Sequence, residues 1–90
     1  MSSSSWAVVV DPSAANDLKK LHRQHHSTLP QLIHAIDTLP SHPYAGKPLK
    51  GDKHGSYSLR VGDFRVIYDL YPSQHTIHII QVGDRKDVYR

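Results

Sequence analysis

Between Tyr57 and Tyr71 the chain reads YSLRVGDFRVIYDLY, with Gly62-Asp63 separating two short runs of mainly β-branched and aromatic residues. A two-residue connection with glycine first is what a type II′ turn requires, and that turn matches the twist of the strands it joins. So short a loop also sets the register: Val61 faces Phe64, Arg60 faces Arg65, Leu59 faces Val66, Ser58 faces Ile67 and Tyr57 faces Tyr68. Opposed residues share a face, and faces alternate along a strand. One face therefore carries Tyr57, Leu59, Val61, Phe64, Val66 and Tyr68, and needs a cover; the other carries Ser58, Arg60, Arg65 and Ile67. Two arginines directly opposed repel by a few tenths of a kcal/mol up to about 1 kcal/mol. That repulsion is relieved either by an anion bound at the pair or by a carboxylate elsewhere, such as Asp63 or Asp69.

The rest of the chain supplies the cover. Trp6 to Val10 is short and β-branched, a strand closed by Asp11-Pro12. Asp11 is placed to cap a helix with Pro12 in its first turn, where the missing N–H is harmless. Ala14, Leu18 and Leu21 follow helical spacing, with Lys19, Lys20 and Arg23 elsewhere on the wheel, and the pattern fades near His26-Ser27. Leu29, Leu32, Ile33, Ile36 and Leu39 form the stripe of a second helix, with Pro30 near its start and Pro40 at its end. The stretch 41–53, SHPYAGKPLKGDK, is punctuated by Pro43, Gly46, Pro48 and Gly51 and reads as a surface loop. After the hairpin, Thr76 to Val82 is a further strand ended by Gly83. The order implies an α+β domain: an N-terminal strand, a helical hairpin and a three-stranded antiparallel meander, the helices covering one face of a small sheet.

Ninety residues make one small domain, here residues 6–90, behind a flexible tail of residues 1–5. The tail lacks the basic and apolar regions of a signal peptide, and no apolar run approaches the roughly 20 residues of a membrane span. Without cysteine, neither a disulfide framework nor a zinc ribbon can be built, which fits a reducing cytosol. A formal charge of +3 and a pI near 9.3 favour an acidic partner, either nucleic acid or an acidic protein segment.

The chemistry concentrates on the open face. Arg60 and Arg65 lie on the hairpin, Arg85 follows the last strand, and Tyr89 comes four residues later. Arginine suits phosphate because its planar fork donates paired hydrogen bonds and stays charged; for the same reason it is a poor base. A phosphate-cleaving site would use the arginines electrostatically. Protons would fall to Tyr89 or to a neighbouring histidine or lysine, unless Tyr89 only packs down the terminus. His22, His25 and His26 have helical spacing that can suit zinc, but no local carboxylate or cysteine joins them, so they read as a solvated helix face with no metal. His34, Asp37 and His42 read as exposed polar residues and His75 and His78 as structural; His54, near the hairpin, is a second candidate for proton transfer. No Gly-x-Ser-x-Gly elbow and no phosphate-binding glycine loop is present.

Leu49-Lys50-Gly51, the run from Tyr57 to Tyr68, and Val82-Gly83-Asp84-Arg85-Lys86-Asp87-Val88-Tyr89, in that order, resemble the RelE/ParE toxin superfamily on its RelE-like branch. The resemblance extends from Trp6 to the C-terminus. It implies a cytoplasmic toxin of a type II toxin–antitoxin system, an endoribonuclease that enters the ribosomal A site and cleaves mRNA through the RNA 2′-hydroxyl, without a cofactor. By position, Arg65 and Arg85 match the family's phosphate-contacting arginines and Tyr89 its catalytic tyrosine. Arg60 matches a basic position; Lys50, Lys53, His54 and Lys86 are the further expected RNA contacts. The implied partners are an acidic antitoxin, the ribosome with its mRNA, and operator DNA through the antitoxin complex. Ser56 and Ser58 stand where the branch carries two lysines, Asp84 where a histidine is common, and the segment from Arg85 to Tyr89 is two residues shorter. The alternatives are a ParE-like inhibitor of DNA gyrase and an inactive module that binds only antitoxin and DNA.

Overall fold

The computed structural model describes residues 6–24, 26–49 and 55–84. The tail 1–5, His25, residues 50–54 and residues 85–90 lie outside these. Strand β1 (Ala7–Val10) is followed by helices α1 (Pro12–Gln24) and α2 (Leu29–Thr38), then by strands β2 (Lys47–Pro48), β3 (Ser56–Val61), β4 (Phe64–Tyr71) and β5 (Thr76–Asp84). The strands form one sheet in the order β1-β5-β4-β3-β2, so the first strand of the chain pairs in parallel with the last, Ala7 opposite Thr76 and Val10 opposite Ile79.

The hairpin has the expected register at every pair from Val61–Phe64 to Tyr57–Tyr68, and continues to Ser56–Asp69. Gly62 has φ +61°, and the next residue, Asp63, has no positive φ, as a II′ turn requires.

The loop reading of 41–53 needs one correction. Lys47 pairs with Ser58 and Pro48 with Tyr57, making a two-residue fifth strand. Proline is tolerated there because β2 is an edge strand, and an edge leaves one row of backbone groups without a ladder partner in any case. Leu49 N–H closes the ladder by donating to Ser56 O at 2.9 Å.

Both helices start on the expected signals. Ser13 N–H donates to Asp11 Oδ2 at 3.1 Å, an N-cap bond, with Pro12 in the first turn. At α2, Thr28 O accepts the N–H groups of Gln31 and Leu32, and Pro40 falls in a short 3₁₀ turn, Leu39–Ser41, that ends the helix. An irregularity in the β4–β5 ladder leaves Ile80 without an opposite residue, between Ile67–Gln81 and Tyr68–Ile79. Helix α1 serves the backbone there: Asp17 Oδ2 accepts from Val82 N–H at 3.0 Å, and the Ser13 hydroxyl, 2.7 Å from Asp11 Oδ2, also reaches Ile80 O at 3.1 Å.

The core lies between the helices and one face of the sheet, joining Ala14, Leu21, Leu32, Ile36 and Leu39 to Phe64, Val66, Tyr68, Leu70, Ile77, Ile79 and Val82. Burying each of the larger aliphatic side chains stabilises the fold by roughly 1.5–3 kcal/mol. Ile33, although part of the expected stripe, stays 41% exposed. No helix of the described residues is long and apolar enough to cross a membrane.

Candidate functional site

The helices cover one face of the sheet; the candidate site is on the other. Along β4 that second face carries Arg65, Ile67, Asp69 and Tyr71, and along β3 Ser56, Ser58 and Arg60. Arg60 and Arg65 are directly opposed beside the Gly62 turn. Arg60 is exposed, and its Nε donates to Gly62 O at 3.3 Å. Arg65 is half-buried and its Nε is shielded from water. On the other flank Arg65 is opposite Gly83, which adds no side chain to the row.

The centre of this face is less open than its alternation implies. Ser58 and Ile67 are 3% and 6% exposed, and Ser56 is 8% exposed. Asp69 does not serve the arginines: it lies at the opposite end of β4, where its Oδ1 accepts a short hydrogen bond from Ser56 Oγ across the hairpin. Ser56, standing where the resemblance implies a lysine, is thus a buried structural donor.

Next to Asp69 in register is His78 on β5. Its Nε2 is 3.4 Å from Asp11 Oδ1. The Asp11 carboxyl is held below its ordinary pKa of 3.8, first by the Ser13 hydroxyl, then by the Ser13 backbone N–H and by His78. His78 is therefore structural, as expected, through a link to the α1 cap that sequence spacing does not disclose. His75 is structural in another way. It has φ 53° and stacks on Trp6 at 4.6 Å between ring centroids.

Of the expected site residues, the structure brings Arg60 and Arg65 together. Arg85, Lys86, Tyr89, Lys50, Lys53 and His54 lie outside the described residues. Strand β5 carries the chain to Asp84, opposite Phe64 and one register step from Arg65. Among the described residues, no three histidine or carboxylate side chains gather in a metal-holding group.

One exposed and one half-buried arginine, at opposed positions on neighbouring strands, concentrate positive charge on this face, and guanidinium chemistry suits an anion. The fold and sequence around it have clear relatives. Residues 8–89 match the family model described as ParE toxin of type II toxin-antitoxin system, parDE. Toxin RelE of Mycobacterium tuberculosis (strain ATCC 25618 / H37Rv) is 32% identical over 86 residues, which covers 94% of this chain and 87% of that protein. Among solved structures, the toxin–antitoxin complex RelBE2 from M. tuberculosis has a TM-score of 0.78 at 28% identity, over 90% of this chain and 99% of the matched one. The YoeB/ParE toxin from Agrobacterium tumefaciens has a TM-score of 0.76 at 25% identity, over 87% and 96% of the two chains. The chain belongs to the RelE/ParE superfamily of type II toxin–antitoxin toxins, on its RelE-like branch.

Proposed function

We propose that this toxin is an endoribonuclease that cleaves mRNA in the ribosomal A site and so stops translation. The observation that carries the reading is the Arg60–Arg65 opposition on the face of the sheet away from the helices. A chain gains nothing in stability from such a pair, whereas a phosphate passing between neighbouring nucleotides is a ligand that two guanidinium groups hold well. In this proposal Arg65 and Arg85 stabilise charge on the phosphate as the 2′-hydroxyl attacks, and Tyr89 handles a proton. Arg60, Lys50, Lys53, His54 and Lys86 bind the RNA backbone. Strand β5 supports this by delivering the chain to Asp84 beside the Arg65 end of β4.

Solved toxin–antitoxin complexes among the relatives, RelBE2 of M. tuberculosis and the RelBE complex of Escherichia coli, support a cognate antitoxin as partner. Operator DNA would be reached through that complex, and the cytoplasm is the proposed compartment.

Primer extension on an mRNA under translation by purified ribosomes tests the proposal. The expected result is cleavage within the A-site codon that vanishes when ribosomes are omitted, and a loss of at least about 100-fold in Arg65→Ala. The match to a ParE family model favours gyrase inhibition as the second reading. Intact mRNA together with gyrase-dependent DNA breakage would establish it and refute the nuclease.

A further inference from the structure

Strands β1 and β2 are the two edges of the sheet, and they differ. Strand β2 carries Lys47 and Pro48, a charge and a missing N–H of the kind that keeps an edge from pairing with another chain. Strand β1 carries neither. It reads Ala-Val-Val-Val, its register against β5 is unbroken, and Val9 and Val10 are 50% and 39% exposed.

The hydrogen bonds of β1 show which of its backbone groups face outward. Ala7 N–H donates to His75 O at 2.9 Å and Asp11 N–H to Ile79 O at 2.8 Å. In this parallel ladder the odd-numbered residues therefore turn their N–H and C=O groups towards β5. Val8 and Val10 turn theirs away from the sheet, and no strand among the described residues pairs with that side.

This layout selects the occupant. No side chain of Ala7–Val10 is charged, so neither the phosphates of RNA nor an acidic segment finds a counter-charge on the edge. The edge is instead complementary to itself. Set antiparallel to a second copy about a two-fold axis at Val9, Val8 of one copy faces Val10 of the other, and each such pair exchanges two N–H···O=C bonds. The two Val9 side chains meet on the axis, at the kind of site where opposed side chains approach most closely. Asp11 falls opposite Ala7 of the second copy, which leaves the two Asp11 carboxylates about 14 Å apart, beyond the roughly 10 Å over which charges act at 0.1 M salt.

We propose that β1 pairs antiparallel with β1 of a second copy of this chain, joining two sheets edge to edge. The axis stands perpendicular to the sheet, so both helical layers lie on one side and both Arg60–Arg65 faces on the other, with β5 and β4 between the arginines and the contact. A four-residue strand pair is small beside the roughly 1,200–2,000 Å² of a stable interface, so the dimer is weak and grows in with concentration.

Sedimentation velocity on the purified full-length chain, from about 1 µM to about 1 mM, tests this. The original chain passes from monomer to dimer across that range. Val9→Lys opposes two lysines on the axis and weakens association at least about tenfold, whereas Val9→Thr keeps a β-branched side chain and the dimer. The chain has no cysteine, so Val9→Cys reports the register directly: on oxidation it gives a disulfide-linked dimer, and Lys20→Cys on α1 does not. Urea midpoints matching that of the original chain show that these exposed-site variants fold. A chain that stays monomeric at about 1 mM overturns the proposal, as does a dimer that survives Val9→Lys and is not captured by Val9→Cys. A chain that dimerises only after removal of residues 1–5 gives the edge to its own tail instead, and a monomer whose Val9→Lys variant loses affinity for the antitoxin gives it to that partner. None of these results bears on the nuclease reading, which is decided by cleavage on the ribosome.

Discussion

Tyr68 is held on three sides. It has no exposed surface, its ring stacks on Tyr57 at 5.6 Å, and its hydroxyl donates to Pro43 O and accepts from Gly46 N–H, both at 2.9 Å. One phenol thereby fixes the loop that precedes β2. Tyr44 in that loop, in edge contact with both Trp6 and Tyr57, carries the aromatic contacts on to His75. Tyr68→Phe keeps the ring but strands a buried N–H and a carbonyl, so stability falls by about 1–3 kcal/mol, read as a lower urea midpoint at unchanged m. Gly46 has the complementary requirement, because a Cβ there would come within 2.7 Å of the Tyr68 hydroxyl oxygen. None of this shows in the sequence. The partners are 22 and 25 residues apart, and nothing local to YDLY points to Pro43 or Gly46.

At the scale of elements, the hairpin was the most legible part of the chain because a two-residue turn leaves only one register. Gly62→Ala tests that turn. The nearest atom a Cβ would meet is 3.9 Å away, so space is not the obstacle; φ +61° is. The expected loss is about 1–2 kcal/mol, measured by thermal or urea unfolding, and an unchanged midpoint would mean that the turn relaxes to another type. Strand β2 was illegible for the opposite reason. Two residues carry no alternation, and a proline flanked by loop residues gives only a turn signal. The site divides along the same line. The Arg60–Arg65 opposition follows from the register alone, whereas the burial of Ser58 and Ile67 depends on what packs over the face, and alternation cannot report that. Asp69 was a candidate counter-ion by composition, but its pairing with Ser56, one step beyond Tyr57–Tyr68, engages it with a different partner.

Across the whole molecule, two groups tie stability to pH from opposite sides. The folded state holds the Asp11 carboxyl below 3.8, so its capping contribution is present above that value and is lost as acid protonates the folded form. Burial, with Tyr57 adding to it and Gly46 N–H opposing, holds the Tyr68 phenol above 10.0. The unfolded chain gives up that proton first, so stability declines as pH rises from about 10 through the folded value. Urea midpoints followed across both limbs should show Asp11→Asn flattening the acid limb and Tyr68→Phe flattening the alkaline one.

The pairing of β1 with β5 also sets a timetable. Strand β5 lies between β1 and β4 and brings Ile77, Ile79 and Val82 into the core. A nascent chain that has not yet emerged through Asp84 therefore has its first strand without a neighbour and helix α1 without the strand it packs against. Local contacts can form early, but closure of the sheet waits for the last strand to be made, and pairings of such long sequence separation assemble slowly. Each newly made toxin thus completes its sheet only once β5 has been made, and that delay gives an antitoxin already present time to meet the toxin as it folds.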